Sequence, residues 1–324
     1  MDFRLAPGDI SAIRFGISPS HELASAVRVL QRPERHPLQW GWLRRARTRL
    51  PREAFDTLAV LIGPDGYFPD FLTATPAWDA DRDRELAALR SAPIEPMRVD
   101  LGKMLVRTSG ARRRAVQRML DDPERTRIEV ADAWATVWDA VLAPVWVQLE
   151  RLLRADIAVR SRRIATAGIA RMAGELHPAV EWSDGAVRVE LLKHRETLDC
   201  RGSGLVLVPS VMALTGCSVL TEPPAQPTLF YPAQGVTADW ARDPAAAEAA
   251  LGALLGAARA ELLLAAHAAR TTSQLAADVG IAVSTASHHL SVLRGSGLVS
   301  STRDGVRMLH LRTPLGEALV GASL

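Results

Sequence analysis

The pattern of apolar and polar positions is most regular near the C-terminal end of the chain. A capping signal at Thr271 and Gln274 opens a short helix, because each side chain can bond the backbone N–H of the other. Gly280 ends that helix, since a left-handed residue is favoured just after a helix C-terminus. A second helix follows, and Asp304-Gly305 then separates two alternating runs, which is the strongest short signal of a β-hairpin. The predicted order is helix, turn, helix and hairpin, that of a winged helix-turn-helix.

The second predicted helix has two different faces. A step of about 100° per residue places Ala286, Leu290 and Leu293 on one side, which we expect to face a core. The opposite side and its margins carry Ser284, Thr285, Ser287, His288, Ser291 and Arg294. Short hydroxyl side chains can bond base edges or phosphates in a major groove, so this face is a candidate for contact with DNA. The alternative is a polar face that meets only water.

The two elements beside that helix add candidate contacts. Arg303 and Arg307 flank the hairpin turn, where two positive charges would meet a phosphate backbone. Thr271 and Thr272, at the start of the first helix, are further candidates for contact with DNA. Between residues 270 and 312, five arginines oppose two aspartates, a net charge of +3 that equals the net charge of the whole chain. Positive charge is therefore concentrated where DNA would lie.

A family resemblance rests on three short sequence elements. These are Ser287-His288-His289-Leu290, Val292-Leu293-Arg294 and Gly297-Leu298-Val299. In this order and spacing they resemble the recognition helix and wing entry of the ArsR/SmtB family of bacterial transcriptional regulators. The resemblance covers residues 246–324, about a quarter of the chain. It implies a dimeric winged-helix repressor or activator. We predict a homodimeric repressor that binds double-stranded DNA, and the two-fold symmetry of a dimer predicts a pseudo-palindromic operator.

The metal-sensing motifs of that family are missing here. Its arsenic and cadmium sensors carry Cys-x-Cys in the helix before the turn, where Ser273 to Asp278 contains no cysteine. Its zinc sensors carry Asp and His ligands on the C-terminal helix, where Thr313 to Val320 contains no histidine. The neighbours His288 and His289 point about 100° apart on a helix and cannot chelate one ion together. We expect no metal and no cofactor.

The residues before 244 are predicted to form a larger part with a different pattern. Several segments begin at or near a proline, where a helix tolerates one, and continue with apolar residues at helical spacing. They predict a mostly helical domain over 1–176, including a long helical segment from Pro123 to Glu175. Alternating runs punctuated by Gly and Pro predict a small β subdomain and linker over 177–240. With the winged helix-turn-helix at 244–324, the fold class is α+β, mainly α with small β elements. This order resembles a group of actinobacterial ArsR-like regulators whose N-terminal domain has no assigned function.

A helical stripe of apolar residues in this larger part includes a candidate effector site. Trp134 and Trp138 open an apolar stripe that continues through Val141, Val145 and Leu149. A tryptophan-lined pocket for a small-molecule effector is one reading. A buried helix that packs this stripe on its neighbours is the favoured one.

Arginine is also clustered in the larger part. Four arginines lie within 44–49, four within 112–118 and three within 160–163. Such charge runs are usually solvated helix faces, and an extended contact with DNA is the alternative.

Other features limit the class of protein. The two cysteines form no disulfide framework and the N-terminus has no signal-peptide pattern, which favours a cytoplasmic protein. The longest apolar segment is interrupted by Arg259 and Glu261, so no membrane span is expected. No dinucleotide fingerprint, phosphate loop or nucleophile elbow is present, so we predict that the chain is not an enzyme. The alternatives are an enzyme with an appended winged helix and a winged-helix module that binds protein.

Overall fold

A computed structural model describes residues 1–67, 69–73, 75–191, 196–200, 202–213, 216–221, 225–237, 240, 244–305 and 307–323. The chain divides into two compact units, Met1–Ala241 and Arg242–Leu324. Each unit has its own apolar core.

The first unit contains most of the helices. They are α1 (Pro7–Ser11), α2 (Pro19–Gln31), α3 (Trp40–Arg49), α4 (Arg52–Leu61), α5 (Arg82–Arg90), α6 (Ile94–Arg107), α7 (Gly110–Asp121), α8 (Pro123–Val141), α9 (Trp146–Ala167) and α10 (Ile169–Gly174). Its strands are β1 (Asp2–Arg4), β2 (Arg14–Phe15), β3 (Val180–Ser183), β4 (Ala186–Val189), β5 (Thr197–Asp199), β6 (Val206–Ser210), β7 (Ser218–Leu220) and β8 (Thr228–Pro232). Short 3-10 turns lie at 33–35, 37–39, 70–72 and 143–145.

The second unit has the predicted order of elements. It comprises α11 (Pro244–Leu255), α12 (Ala257–Ala265), β9 (Arg270–Thr271), α13 (Thr272–Val279), α14 (Val283–Gly295), β10 (Val299–Asp304), β11 (Arg307–Arg312) and α15 (Pro314–Ser323). The predicted fold class, mainly helical with small β elements and a C-terminal winged helix-turn-helix, is confirmed.

The long helix predicted between Pro123 and Glu175 is divided into three. The chain bends by 41° between α8 and α9, at a 3-10 turn that contains Pro144. Proline has no N–H to donate and its ring clashes with the preceding turn, so a straight helix cannot pass through it. A second break follows α9, where Gly168 takes a positive φ of 81° that glycine adopts without steric cost.

The first residues of the chain complete both sheets of the first unit. One sheet has the order β3-β4-β1-β5, in which β1 lies antiparallel to β4 and parallel to β5. The other has the order β2-β6-β8-β7, in which β2 is parallel to β6. The β segment therefore shares its sheets with residues 2–15, and the predicted division at residue 176 is not a boundary between compact units. Strands of two or three residues carry too little alternation to be seen in the sequence.

A buried carboxylate fastens the N-terminal segment to the later strands. Asp9 is fully buried, and its two oxygens accept hydrogen bonds from the N–H of Ala6 at 2.9 Å and of Gly204 at 3.0 Å. These bonds lower the pKa of Asp9, the Gly204 contact most strongly. Gly204 has φ +69°, and a Cβ there would collide with the backbone of Ala12. The approach of the two segments thus requires glycine at this position.

The helical core of the first unit contains the predicted apolar stripe. Trp134, Trp138, Val141, Val145 and Leu149 are all buried, as the favoured reading required. The two tryptophan rings stack with centroids 5.3 Å apart. The stripe is continuous in space although the helix that carries it is bent, because α8 and α9 pack into the same core.

No single helix in the described part of the chain is long and apolar enough to cross a membrane; α8 and α9 meet the length and composition criteria only as a bent pair.

Two buried glutamates hold the N-terminal end of α2 in place. Glu22 accepts from the N–H of Val211 at 3.0 Å and of Met212 at 3.1 Å, just after β6. Glu85, on α5, accepts from the N–H of Ser20. Burial raises the pKa of each carboxyl to about 7. The folded state therefore favours the protonated form of both side chains at pH values where the unfolded chain is ionised.

We expect Glu85→Gln to flatten the pH dependence of stability. The folded pKa of Glu85, about 7, lies above its ordinary value of 4.5. Its contribution is therefore fully present below about pH 4.5 and is lost as the pH rises through about 7. In urea titrations the wild type should lose on the order of 3 kcal/mol more than the variant over that range. Glu34→Gln, at an exposed position, is the control, and equal slopes for Glu85→Gln and wild type would contradict the prediction.

Candidate DNA-binding site

The core of the second unit fixes the orientation of its two central helices. Ala286, Leu290 and Leu293 of α14 are buried, with exposed fractions of 0–1%. They pack with Leu275 and Ala276 of α13 and with the buried side chains of α12. At roughly 25 cal/mol per Å² of apolar surface, burial of each leucine contributes about 2 kcal/mol. This face of α14 is therefore unavailable to a partner.

Both ends of α13, including the turn that leads to α14, form as the sequence predicts. The Thr271 hydroxyl accepts from the Gln274 N–H at 3.3 Å, and the Gln274 side chain accepts from the Thr271 N–H at 2.9 Å. Gly280 adopts the left-handed conformation, with φ 71° and ψ 31°. Its N–H returns to the carbonyl groups at the end of α13. The two helices therefore meet at a turn that glycine permits without strain.

The predicted polar face of α14 lies on the surface. All six candidate side chains are exposed: Ser284, Thr285, Ser287, His288, Ser291 and Arg294. None of them has a hydrogen bond or an ion pair with another described residue. Of the two adjacent histidines, His288 is exposed and His289 is half-buried. The result is a row of unengaged donors and acceptors opposite a buried apolar face.

The hairpin after α14 forms a three-stranded sheet with β9. β10 and β11 pair from Val299↔Arg312 to Asp304↔Arg307, and β9 adds to the outer side of β11. Arg303 is exposed near the turn, and its Nε donates to the Gly305 carbonyl at 3.1 Å. The other predicted wing contact, the Arg307 side chain, lies outside the described residues, as does Val306.

A buried histidine joins this wing to the start of α13. His310 is 6% exposed; its Nε2 lies 2.9 Å from the Thr272 hydroxyl and its Nδ1 lies 2.8 Å from the Ser301 hydroxyl. Burial, and secondarily the positive charge of Arg294, lowers the pKa of His310. The imidazole is therefore held neutral, with one nitrogen donating and the other accepting.

Two sequence candidates are engaged inside the unit. The Thr271 hydroxyl belongs to the capping box and the Thr272 hydroxyl belongs to the His310 contact. His310 itself was not a sequence candidate. Alternation places it between Met308 and Arg312 on one face of β11, but only the pairing of β9 with β11 brings Thr272 beside it.

Internal ion pairs reduce the positive charge counted from the sequence. Arg270 pairs with Asp278 at 2.6 Å, and Arg312 pairs with Glu317 at 3.1 Å. Among the described side chains, Arg294 and Arg303 are then the cations exposed near α14 and the wing. Glu317 lies just outside residues 270–312, so the net charge of +3 for that range overstates the positive charge around the wing.

The two tryptophans of the candidate effector site are core residues. Trp134 and Trp138 are each 3% exposed and pack in the helical core. A cavity of about 400 Å³ lies between α2, α3 and α4. Within the described ranges, no group of three or more His, Cys, Asp or Glu side chains is placed to hold a metal ion.

The arginine clusters of the first unit have different roles. Arg160 is buried beside Asp156 at 3.5 Å, and Arg163 pairs with Glu175 at 2.6 Å. Arg112 donates to the carbonyl groups of residues 60 and 61 at 2.8 and 3.1 Å. These contacts tie the second and third clusters into the fold. Three arginines of the cluster at 44–49 are exposed.

Two family models match different parts of the chain. Residues 262–301, from α12 to the start of the hairpin, match the model of the bacterial regulatory protein, arsR family. Residues 95–237 match a family of unknown function (DUF5937). That second match runs from α6 to beyond β8, so it crosses residue 176 without a break. Searches of curated proteins and of solved structures gave no match.

We expect His310→Ala to loosen the wing. The change removes two hydrogen bonds and leaves the Thr272 and Ser301 hydroxyls without a partner at a partly buried site, which costs about 1–3 kcal/mol. Hydrogen exchange should show faster exchange of the β10 and β11 amides, with α14 less affected. Met308→Ala, on the same strand but 38% exposed, should change exchange less. Equal protection in His310→Ala and wild type would refute the role of this contact.

Proposed function

We propose that this chain, whose C-terminal unit carries an ArsR-family helix-turn-helix, is a sequence-specific regulator of transcription that inserts α14 into the major groove of DNA. One observation carries the proposal. The face of α14 opposite its buried residues presents Ser284, Ser287, His288 and Ser291 as an exposed row, and these side chains form no hydrogen bond with any residue that the structure describes. Since every other face of the helix is buried or lies at the margin of the core, this row is the surface from which bases would be read.

The chemistry of the row suits direct readout. A serine hydroxyl both donates and accepts, and a histidine ring can do either, so base edges of several patterns can be matched. Thr285 and Arg294 lie at the margins of the row, where a helix in a groove approaches the phosphates. The alternative of a polar face that meets only water leaves the match to a family of regulators without a role for this helix.

The wing supplies sequence-independent contact in this proposal. Arg303 is exposed beside the hairpin turn, and we infer that its guanidinium binds a backbone phosphate next to the groove that α14 occupies. Arg307 is proposed for the same role on the strength of its place in β11, directly opposite Asp304. His310 holds the hairpin at its distance from α13 and so positions these cations.

We further propose a homodimer that binds a pseudo-palindromic operator with half-sites about one helical turn apart. Leu254 on α11 and Leu315 on α15 are 67% and 58% exposed, and α11 and α15 are in contact. A second copy would cover such side chains. A dimer across an operator obstructs access to the promoter, so repression is the proposed sign of regulation, and the cytoplasm is the proposed location.

The proposed regulator is not an enzyme and needs no metal or cofactor, and its signal is an organic ligand or partner sensed by the first unit. The absence of cysteine from α13 and of histidine from α15 supports metal independence. Two alternatives keep the same fold: an enzyme carrying a winged helix, and a winged helix that binds protein. Failure to bind DNA with sequence preference would favour them.

We expect Ser287→Ala with His288→Ala to remove sequence-specific binding. Each lost base contact costs about 1–3 kcal/mol, so affinity for the operator should fall at least tenfold while non-specific affinity changes little. Fluorescence anisotropy with DNA from upstream of the gene, at moderate salt, measures both. The thermal unfolding temperature should stay unchanged, because both side chains are exposed. His267→Ala, at an exposed histidine outside α14, is the matched control. Retained specificity in the double variant would show that α14 does not read the sequence.

Arg303→Gln should weaken binding to specific and non-specific DNA alike. Removing one phosphate contact lowers the slope of log affinity against log salt by about 1. Titrations at several salt concentrations measure that slope. Among the residues that the structure describes, the Arg303 side chain bonds the carbonyl of neighbouring Gly305, so folding should be unaffected. A loss confined to the operator, with an unchanged slope, would instead place Arg303 on a base.

A further inference from the structure

An open cavity in the first unit is lined by both cationic and apolar side chains. It has a volume of about 400 Å³ and is lined by Leu30, Arg47, Leu50, Arg52, Phe55 and Asp56. Leu30 is buried and Leu50 and Phe55 are half-buried, while Arg47, Arg52 and Asp56 are exposed. The volume falls in the range of small-molecule sites, about 300–1,000 Å³. The lining of the cavity thus combines buried or half-buried apolar side chains with exposed charged side chains.

The two arginines of this cavity differ from the paired arginines Arg82 and Arg154 of the same unit. Arg82 pairs with Asp139, and Arg154 pairs with Glu150. Arg47 and Arg52 form no ion pair or hydrogen bond with any residue that the structure describes. Asp56, the third charged residue of the lining, is exposed and forms no ion pair with either arginine. The positive charges of the cavity are therefore uncompensated at contact distance.

The helix dipole favours a positive charge at the position of Arg47 and disfavours one at the position of Arg52. Arg47 lies in the last turn of α3, where the helix dipole favours a cation. Arg52 is the first residue of α4, where the dipole disfavours a cation. Glu53, in the same first turn, is not among the cavity-lining residues. A bound anion would lower the electrostatic energy of Arg52 and of the α4 terminus together.

We propose that this cavity binds an amphipathic organic monoanion, a carboxylate with a hydrocarbon body. The guanidinium groups of Arg47 and Arg52 would hold the carboxylate. The hydrocarbon body would displace water from Leu30, Leu50 and Phe55. Two arginines and one aspartate give the lining a net charge of +1, which matches one negative charge better than the two of a phosphate.

The inference rests on the proposed function in one respect only, that the ligand would be the signal the regulator obeys. Binding of the anion itself requires no DNA. The site and the regulation can therefore be tested separately with the full chain.

Calorimetric titration of the full chain with octanoate, 1-octanol and inorganic phosphate tests the site. Octanoate should bind at least tenfold more tightly than either of the others, since only it offers both the charge and the hydrocarbon. Arg47→Gln with Arg52→Gln should weaken octanoate at least tenfold. Arg44→Gln, also exposed on α3 but outside the cavity, should leave it unchanged.

Several results would overturn the site. Octanol binding as tightly as octanoate would show that the arginines take no part, and phosphate binding as tightly would show a simple anion site. An equal loss in Arg44→Gln would show an effect of general charge. A thermal unfolding scan of each variant identifies a loss of folding, and Arg47→Lys with Arg52→Lys should then retain part of the affinity.

Operator affinity measured with and without octanoate tests the regulation. A change of at least threefold supports the ligand as a signal. An unchanged affinity in a protein that binds octanoate would refute the signal and leave the site standing. Octanoate binding by a protein that shows no sequence-specific DNA binding would refute the proposed function and leave this inference intact.

Discussion

Burial of one face of α14 is the constraint from which the rest of the C-terminal unit follows. Ala286, Leu290 and Leu293 must leave water together, and the helix period then turns Ser287 and His288 outward. The same packing closes α12 and α13 around α14. The surface that we propose reads DNA is thus a geometric consequence of the core and does not require a separate element.

Polar contacts decide which groups of that surface stay available. Arg270 and Arg312 form ion pairs with Asp278 and Glu317, and the Thr272 hydroxyl forms a hydrogen bond with His310. The Arg270–Asp278 and His310–Thr272 contacts join the three-stranded sheet to α13, and the Arg312–Glu317 pair joins it to α15. The exposed charge that remains is small, in line with the chain's net charge of +3. In the proposed complex, hydroxyl and imidazole groups therefore contribute more of the recognition than charge does.

In the first unit, short strands are stabilised by segments that are distant in the sequence. β1 and β2 are too short to be stable alone and gain their hydrogen bonds from strands about 180–200 residues later in the chain. Asp9 and the close approach at Gly204 secure this closure. The family match over 95–237 covers the later strands and not the first fifteen residues that complete their sheets.

The sequence by itself determined the local features: the capping box at Thr271, the turn at Gly280, the Asp304-Gly305 hairpin and the two faces of α14. All of these depend on residues within about seven positions of each other, where helix and turn geometry are fixed by the chain. Only the tertiary structure decided what depends on distant neighbours. It placed Trp134 in a core, removed Arg270 from the surface charge, brought His310 to Thr272 and joined residues 2–15 to the later strands. Contacts of that kind have no periodic trace along a chain, because they arise only when separate elements pack together.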